Sequence, residues 1–118
     1  MIVKGKKVKV GGESYQIQFS DDPRTVDPDK EGQAQSLDGC VNYNQYIIGL
    51  HSKEPKVHIE QVFFHELSHA IAEKYHLTSL VDETGKHDEA AMDLMSMGLQ
   101  EALSSLGLNI LELLKAKK

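Results

Sequence analysis

The five residues HELSH, 65–69, decide how the rest of the chain is read. They lie within KVHIEQVFFHELSHAIAEKY, residues 56–75. There Ile59, Val62, Phe63, Leu67, Ala70 and Ile71 recur at the spacing of one helical face, and Pro55 suits a first helical position. Side chains four apart on a helix stand one above the other, so His65 and His69 can turn a ring nitrogen each toward one point. A zinc ion held at about 2.0–2.1 Å from each nitrogen fits that spacing. Glu66 is rotated by about 100° from His65. It cannot easily share the coordination, but it can reach a water at the ion and take its proton. Two imidazoles and a carboxylate in an otherwise apolar helix are costly to bury alone, and a cation supplies the missing partner.

Such a catalytic ion usually takes a third protein ligand. Glu73 shares the face but lies about 12 Å from His65 along the helix, too far for one ion. The longer pattern H-E-x-x-H-x-x-G-x-x-H fails, because Ala72 and Tyr75 occupy its glycine and last histidine positions. DEAAMD, residues 88–93, offers Glu89 and Asp93 four apart on one face at the start of a second helix. An antiparallel return would bring Glu89 back to the histidines as third ligand. Asp93, one turn deeper, could accept the second ring N–H of a ligand histidine and fix its orientation. The competing reading of Glu89 is a carboxylate facing the positive end of a helix dipole.

Working outward, Ile2, Val8 and Val10, then Tyr15, Ile17 and Phe19, alternate with polar residues on either side of Gly11-Gly12, which predicts a β-hairpin over 2–10 and 14–20. Residues 21–39 are polar and carry two prolines, and read as a loop or a loop with one helical turn. CVNYNQYIIGLH, 40–51, suits one strand or a short hairpin turning near Asn42–Gln45. HLTSLVDETGK, 76–86, reads as a loop. The second helix is expected over about 86–106, with Ala91, Leu94, Met95, Leu99, Ala102, Leu103 and Leu106 as its buried stripe and Gly107 as its stop. Asn109 can cap a last helix, Ile110 to Lys117. Met92, Met95 and Met97 read as core filler.

The 118 residues fit one small domain, and a 40% hydrophobic content without Trp asks for an aliphatic core. The net charge of −5 argues against a nucleic-acid partner. Lysine clusters at both ends read as a solvated strand edge and a frayed helix end. Cys40 is the single cysteine, so no internal disulfide is possible. No apolar segment follows the N-terminal lysines and none is long enough to span a membrane, so no membrane partner and a cytoplasmic location are expected.

HELSH, then nineteen residues, then EAAMD, resembles the gluzincins, the thermolysin-like metallopeptidases, whose glutamate ligand is followed four residues later by an aspartate. Size and layout are similar to the minimal bacterial and phage-encoded members of the ImmA/IrrE kind, and DGCVNYNQYIIGL resembles the strand that precedes their zinc helix. The resemblance is specific over 65–93 and loose over 38–64. It implies zinc on His65, His69 and Glu89, Glu66 as general base, and Asp93 as orienting carboxylate. The second domain of the large gluzincins has no counterpart here. Gly39-Cys40 is also similar to the ligand pair of peptide deformylases, but the remainder of that signature is absent.

The expected fold is therefore α+β and zincin-like, with a small antiparallel or mixed sheet packed on the H-E-x-x-H helix and one or two further helices. The expected function is zinc-dependent hydrolysis of a peptide or protein substrate. Tyr46 and Ile47 are substrate-binding candidates if Tyr43–Ile48 is an edge strand to which a peptide adds; an internal strand is the competing reading. Tyr75, His76, His87 and Tyr46 are candidate donors to an oxyanion. The alternative function is a non-enzymatic regulatory or phage assembly protein with a structural zinc site, in which Glu66 has no task.

Overall fold

Tyr15, Ile17 and Phe19 alternate with Ser14, Gln16 and Gln18, and the first set is buried while the second is partly or fully exposed. That alternation gives this segment one buried face. The computed structural model describes residues 2–26, 39–75 and 88–115; the loop readings at 27–38 and 76–87, with His76 and His87, lie outside the described residues, as does the end of the last helix. Strands β1 (Val3–Val10) and β2 (Glu13–Ser20) form the expected antiparallel hairpin. Gly11 and Gly12 join them with φ of 58° and 89°, a pair of left-handed residues that only a Gly-Gly or similar turn adopts cheaply.

Residues 39–51 form a second hairpin, β3 (Gly39–Asn42) and β4 (Ile47–His51). The two hairpins join through β2 and β4, which run parallel, so the strand order is β1-β2-β4-β3 and the sheet is mixed. Ile47 pairs with Gln16 on one side and Asn42 on the other. It belongs to an inner strand, and the edge reading of Tyr43–Ile48 is corrected: Ile47 has no unpaired side onto which a peptide strand could add, and Tyr46 is a turn residue. The edge on that side, among the described residues, is β3. A 3₁₀ turn, Pro23–Val26, packs on the side of β3 where Asn42 points, and the Asn42 amide donates to the Val26 carbonyl at 2.7 Å.

Helix α1 (Lys56–Tyr75) has the expected bounds, with the Pro55 carbonyl accepting the Ile59 N–H at 3.0 Å. Ile59, Phe63 and Ala70 enter the main core with Val10, Tyr15, Ile17, Phe19, Val41, Ile48 and Leu50, while Val62, Leu67 and Ile71 pack around it. Phe64 belongs to the same core, and Ser68 and His69 are buried on α1 as well. Helix α2 (Glu89–Ser105) runs back antiparallel, its far end tied by Gln100 donating to the Val57 carbonyl at 3.0 Å.

The buried stripe expected on α2 is corrected in part: Ala91, Met95 and Leu103 are half-buried, Leu103 against the main core, but the others are not. Met92 and Ser96 are the fully buried residues, whereas Leu94 and Leu106 are about 70% exposed, Leu99 is 36% exposed and Ala102 is exposed. Large apolar residues occur all round α2, so hydrophobic spacing does not select a face. Small Ser68 and Ser96, both with no exposed area, occupy the buried sides of the two helices, their hydroxyls satisfied by the Phe64 and Asp93 carbonyls. Met92 fills the core as expected, but Met97 is 54% exposed.

Gly107 ends α2 at φ 79°. Helix α3 (Ile110–Lys115) follows, with the Asn109 side chain accepting the Glu112 N–H at 3.2 Å as a cap. The Glu60 carboxylate, 5% exposed, accepts the Leu111 N–H at 2.9 Å and so fastens α3 to α1. No helix among the described residues is long and apolar enough to cross a membrane.

Candidate metal centre

His65, His69 and Glu89 converge at the crevice between α1 and the start of α2. His65 Nε2 stands 2.9 Å from Glu89 Oε1 and 3.2 Å from His69 Nε2, and His69 Nε2 lies 3.1 Å from Glu89 Oε2. Donors placed tetrahedrally around one cation, with bonds of about 2.0–2.2 Å, are separated by roughly 3.3–3.6 Å. The three separations therefore come within a few tenths of an ångström of a coordination set, and the group can hold a metal ion.

Two facing imidazole nitrogens cannot both present a proton to each other, and a shared cation removes that conflict. His65 Nδ1 is 2.8 Å from Asp93 Oδ1. A proton on Nδ1, donated to Asp93, would leave the Nε2 lone pair free for a cation, the role the spacing of Glu89 and Asp93 suggests for that carboxylate. The imidazoles are largely buried, with side-chain exposures of 18% and 11%, whereas Glu89 and Asp93 are 68% and 61% exposed. The site is thus walled below by protein and open above.

Asp88 sets the position of Glu89. Its backbone is extended, φ −76° and ψ 108°, and its carboxylate accepts the Ala90 and Ala91 N–H groups at 3.0 and 3.2 Å. This is an N-cap that starts α2 with Glu89 as its first residue. Asp88→Ala should cost about 1 kcal/mol of stability. It should also weaken metal binding several-fold, which titration with a competing chelator would read.

Glu66, half-buried, lies on the side of α1 that faces β3. The strand can come this close because residue 39 is glycine: a Cβ there would stand 2.4 Å from Val62 Cγ1 and 3.3 Å from Glu66 Cγ. Val62 is branched at Cβ and cannot swing aside freely. Gly39→Ala should therefore destabilise the fold by about 1–3 kcal/mol and displace Glu66, a loss that urea unfolding would measure.

The remaining candidates are not brought into the cluster. Glu73 is exposed and outside it, as the 1.5 Å helical rise requires. Cys40 is buried in β3 with Sγ toward the Val41 carbonyl, and the group among the described residues does not include it. Tyr75 is 57% exposed at the end of α1. Tyr46 adopts φ 59° and rests edge-on against Tyr15, ring centres 5.4 Å apart. Tyr43 was not among the oxyanion candidates, yet burial, followed by the charge of Glu66 and then Glu73, pushes its hydroxyl well above the ordinary tyrosine value.

No family model, no curated protein and no solved structure matches the chain.

Proposed function

We propose that this protein is a zinc-dependent metallopeptidase of zincin-like fold, similar to the minimal gluzincins. The convergence of His65 Nε2, His69 Nε2 and a Glu89 oxygen at 2.9–3.2 Å, with Glu66 on the adjoining face of the same helix, carries the reading. Nitrogen–nitrogen–oxygen donors suit zinc, and an exposed side leaves room for water or substrate, as catalytic sites do and closed structural sites do not. Zinc, when bound, supplies Lewis acidity and lowers the pKa of water toward about 7.

The chain's own residues supply the rest. Asp93 fixes the His65 ring. Glu66 takes a proton from the attacking water as its oxygen bonds to the scissile carbonyl carbon, then delivers that proton to the leaving nitrogen as the C–N bond breaks. The products are a carboxylate and an amine, with one water consumed. The outer edge of β3, Gly39–Asn42, is where an extended peptide can pair, because the Gly39 end of that strand approaches Glu66. Tyr46 then flanks the substrate from the turn beyond β3 and is no part of a pairing strand.

The test is incubation of the zinc-loaded chain with a peptide library in ¹⁸O water. New C-termini carrying the heavy isotope are expected. A chain that binds zinc tightly yet releases no labelled peptide would point instead to the regulatory or assembly role with a structural ion.

A further inference from the structure

The crevice between α1 and α2 continues past the metal centre. Gln61 lies one helical turn before His65 on α1, and Met97 lies one turn after Asp93 on α2. There the two helices open a groove of about 440 Å³, which Val57, Glu60, Gly98 and Glu101 also line. On each helix these residues stand three or four apart, on one face. Val57 and Met97 are 64% and 54% exposed, so the groove has apolar flanks. Gly98 adds no side chain: a Cβ there would meet no atom within 4 Å, and glycine is an unfavourable residue inside a helix. Packing within the described chain does not call for it, and bare backbone at that point lets another molecule come close.

The polar groups of the groove are incompletely bonded. Glu60 is 5% exposed, and its Oε2 accepts the Leu111 N–H. Its Oε1 has no partner among the described residues. No fully buried side-chain oxygen among them goes unsatisfied, so Oε1 meets open space, and the groove that Glu60 lines supplies it. The side chains of Gln61 and Glu101 likewise have no hydrogen-bond or ion-pair partner among the described residues. No lysine, arginine or histidine lines the groove, and Lys56, beside Val57, is exposed and pairs with neither carboxylate. A carboxylate set that deep in protein is best completed by a cationic donor that leaves water to meet it.

We infer that this groove docks an arginine of a protein partner, with the guanidinium on Glu60 and Glu101 and the partner's adjoining apolar side chains on Val57 and Met97. The inference is independent of the metallopeptidase reading. The lining side chains offer one oxygen of Glu60, both of Glu101 and the amide oxygen of Gln61, more acceptors than one ammonium can serve. The planar fork of a guanidinium carries more donors, and it sheds water more readily than an ammonium does. A second copy of this chain cannot supply it among the described residues. Arg24 is the only arginine in the sequence, and its guanidinium already donates to both oxygens of Asp22 at 3.0 and 3.1 Å. Free arginine would leave the exposed Val57 and Met97 uncovered, whereas a segment with apolar residues beside its arginine covers them.

The test is a ¹⁵N NMR titration of the full chain with the blocked pentapeptide Ser-Leu-Arg-Leu-Ser, run with zinc and again with a chelator. Saturable shifts of the Gln61, Gly98 and Glu101 amides are expected, with equal affinity in both conditions, because none of His65, His69 and Glu89 lines the groove. Replacing the arginine by citrulline, its uncharged isostere, should weaken binding about 10-fold or more, the effect of losing hydrogen bonds between charged partners. Glu101→Gln and Gly98→Leu should each weaken the arginine peptide by a similar factor. Glu101 and Gly98 are exposed, so both variants should fold, which circular dichroism checks. No shift at about 1 mM peptide would overturn the proposal. Equal affinity for the citrulline peptide, or unchanged affinity in both variants, would overturn it as well. Binding lost on chelation would place the arginine at the metal centre instead, and N-acetylargininamide bound as tightly as the peptide would make the ligand a small molecule; either result overturns the docking of a protein partner.

Discussion

Glu66→Gln is expected to leave zinc stoichiometry unchanged and to lower peptide hydrolysis by at least about 10²–10⁴-fold, the range that proton transfer by a placed side chain contributes. The reason is local. The two side chains have nearly the same shape, so the packing of α1 near Gly39 should survive, and the atoms of His65, His69 and Glu89 that could hold an ion are not altered. The substitution removes the carboxylate's charge and with it the ability to accept a proton. Zinc content by atomic emission, read beside turnover of a peptide found in the library experiment, checks the outcome. Retained turnover would show that another group accepts the proton.

Glu89→Ala should act on the other half of the site, lowering zinc affinity by more than about 100-fold. Loss of an outer partner alone costs roughly 10–100-fold, so a ligand must exceed that range, and Asp93→Ala serves as the internal comparison. Glu89 is 68% exposed, and its truncation leaves no cavity in the core. Its oxygens face both histidines at 2.9 and 3.1 Å, and Asp88 holds the backbone that carries it. The folded state should therefore persist without metal, and circular dichroism would separate that from unfolding. Unchanged zinc occupancy would mean that the third ligand lies elsewhere.

Much of this arrangement is legible in the residues because the signals are local. Gly11-Gly12, Pro55, Gly107 and Asn109 mark turns and ends through backbone properties that no distant contact overrides. The histidine pair and the Glu89–Asp93 pair are each fixed by helical geometry, and meeting requires only an antiparallel return. What the spacing does not contain is anything decided between elements. β4 takes the inner position beside β2 because Ile48 and Leu50 extend the buried face begun by Ile17 and Phe19. The buried face of α2 is chosen by Met92, Ser96 and the engagement of Glu89 and Asp93 with the histidines, against the pull of Leu94 and Leu106. Burial of Glu60 depends on the last helix arriving to offer the Leu111 N–H, and no short window around residue 60 contains that helix.

The parallel contact between β2 and β4 also governs how the molecule comes into being. Either hairpin can zip alone within microseconds, since its partners are neighbours along the chain. Their junction must wait until Ser20 and His51, 31 positions apart along the chain, meet by diffusion, an encounter opposed by roughly 3 kcal/mol of lost chain freedom. The floor on which the histidine helix rests therefore depends on a junction that neither ribbon can make by itself.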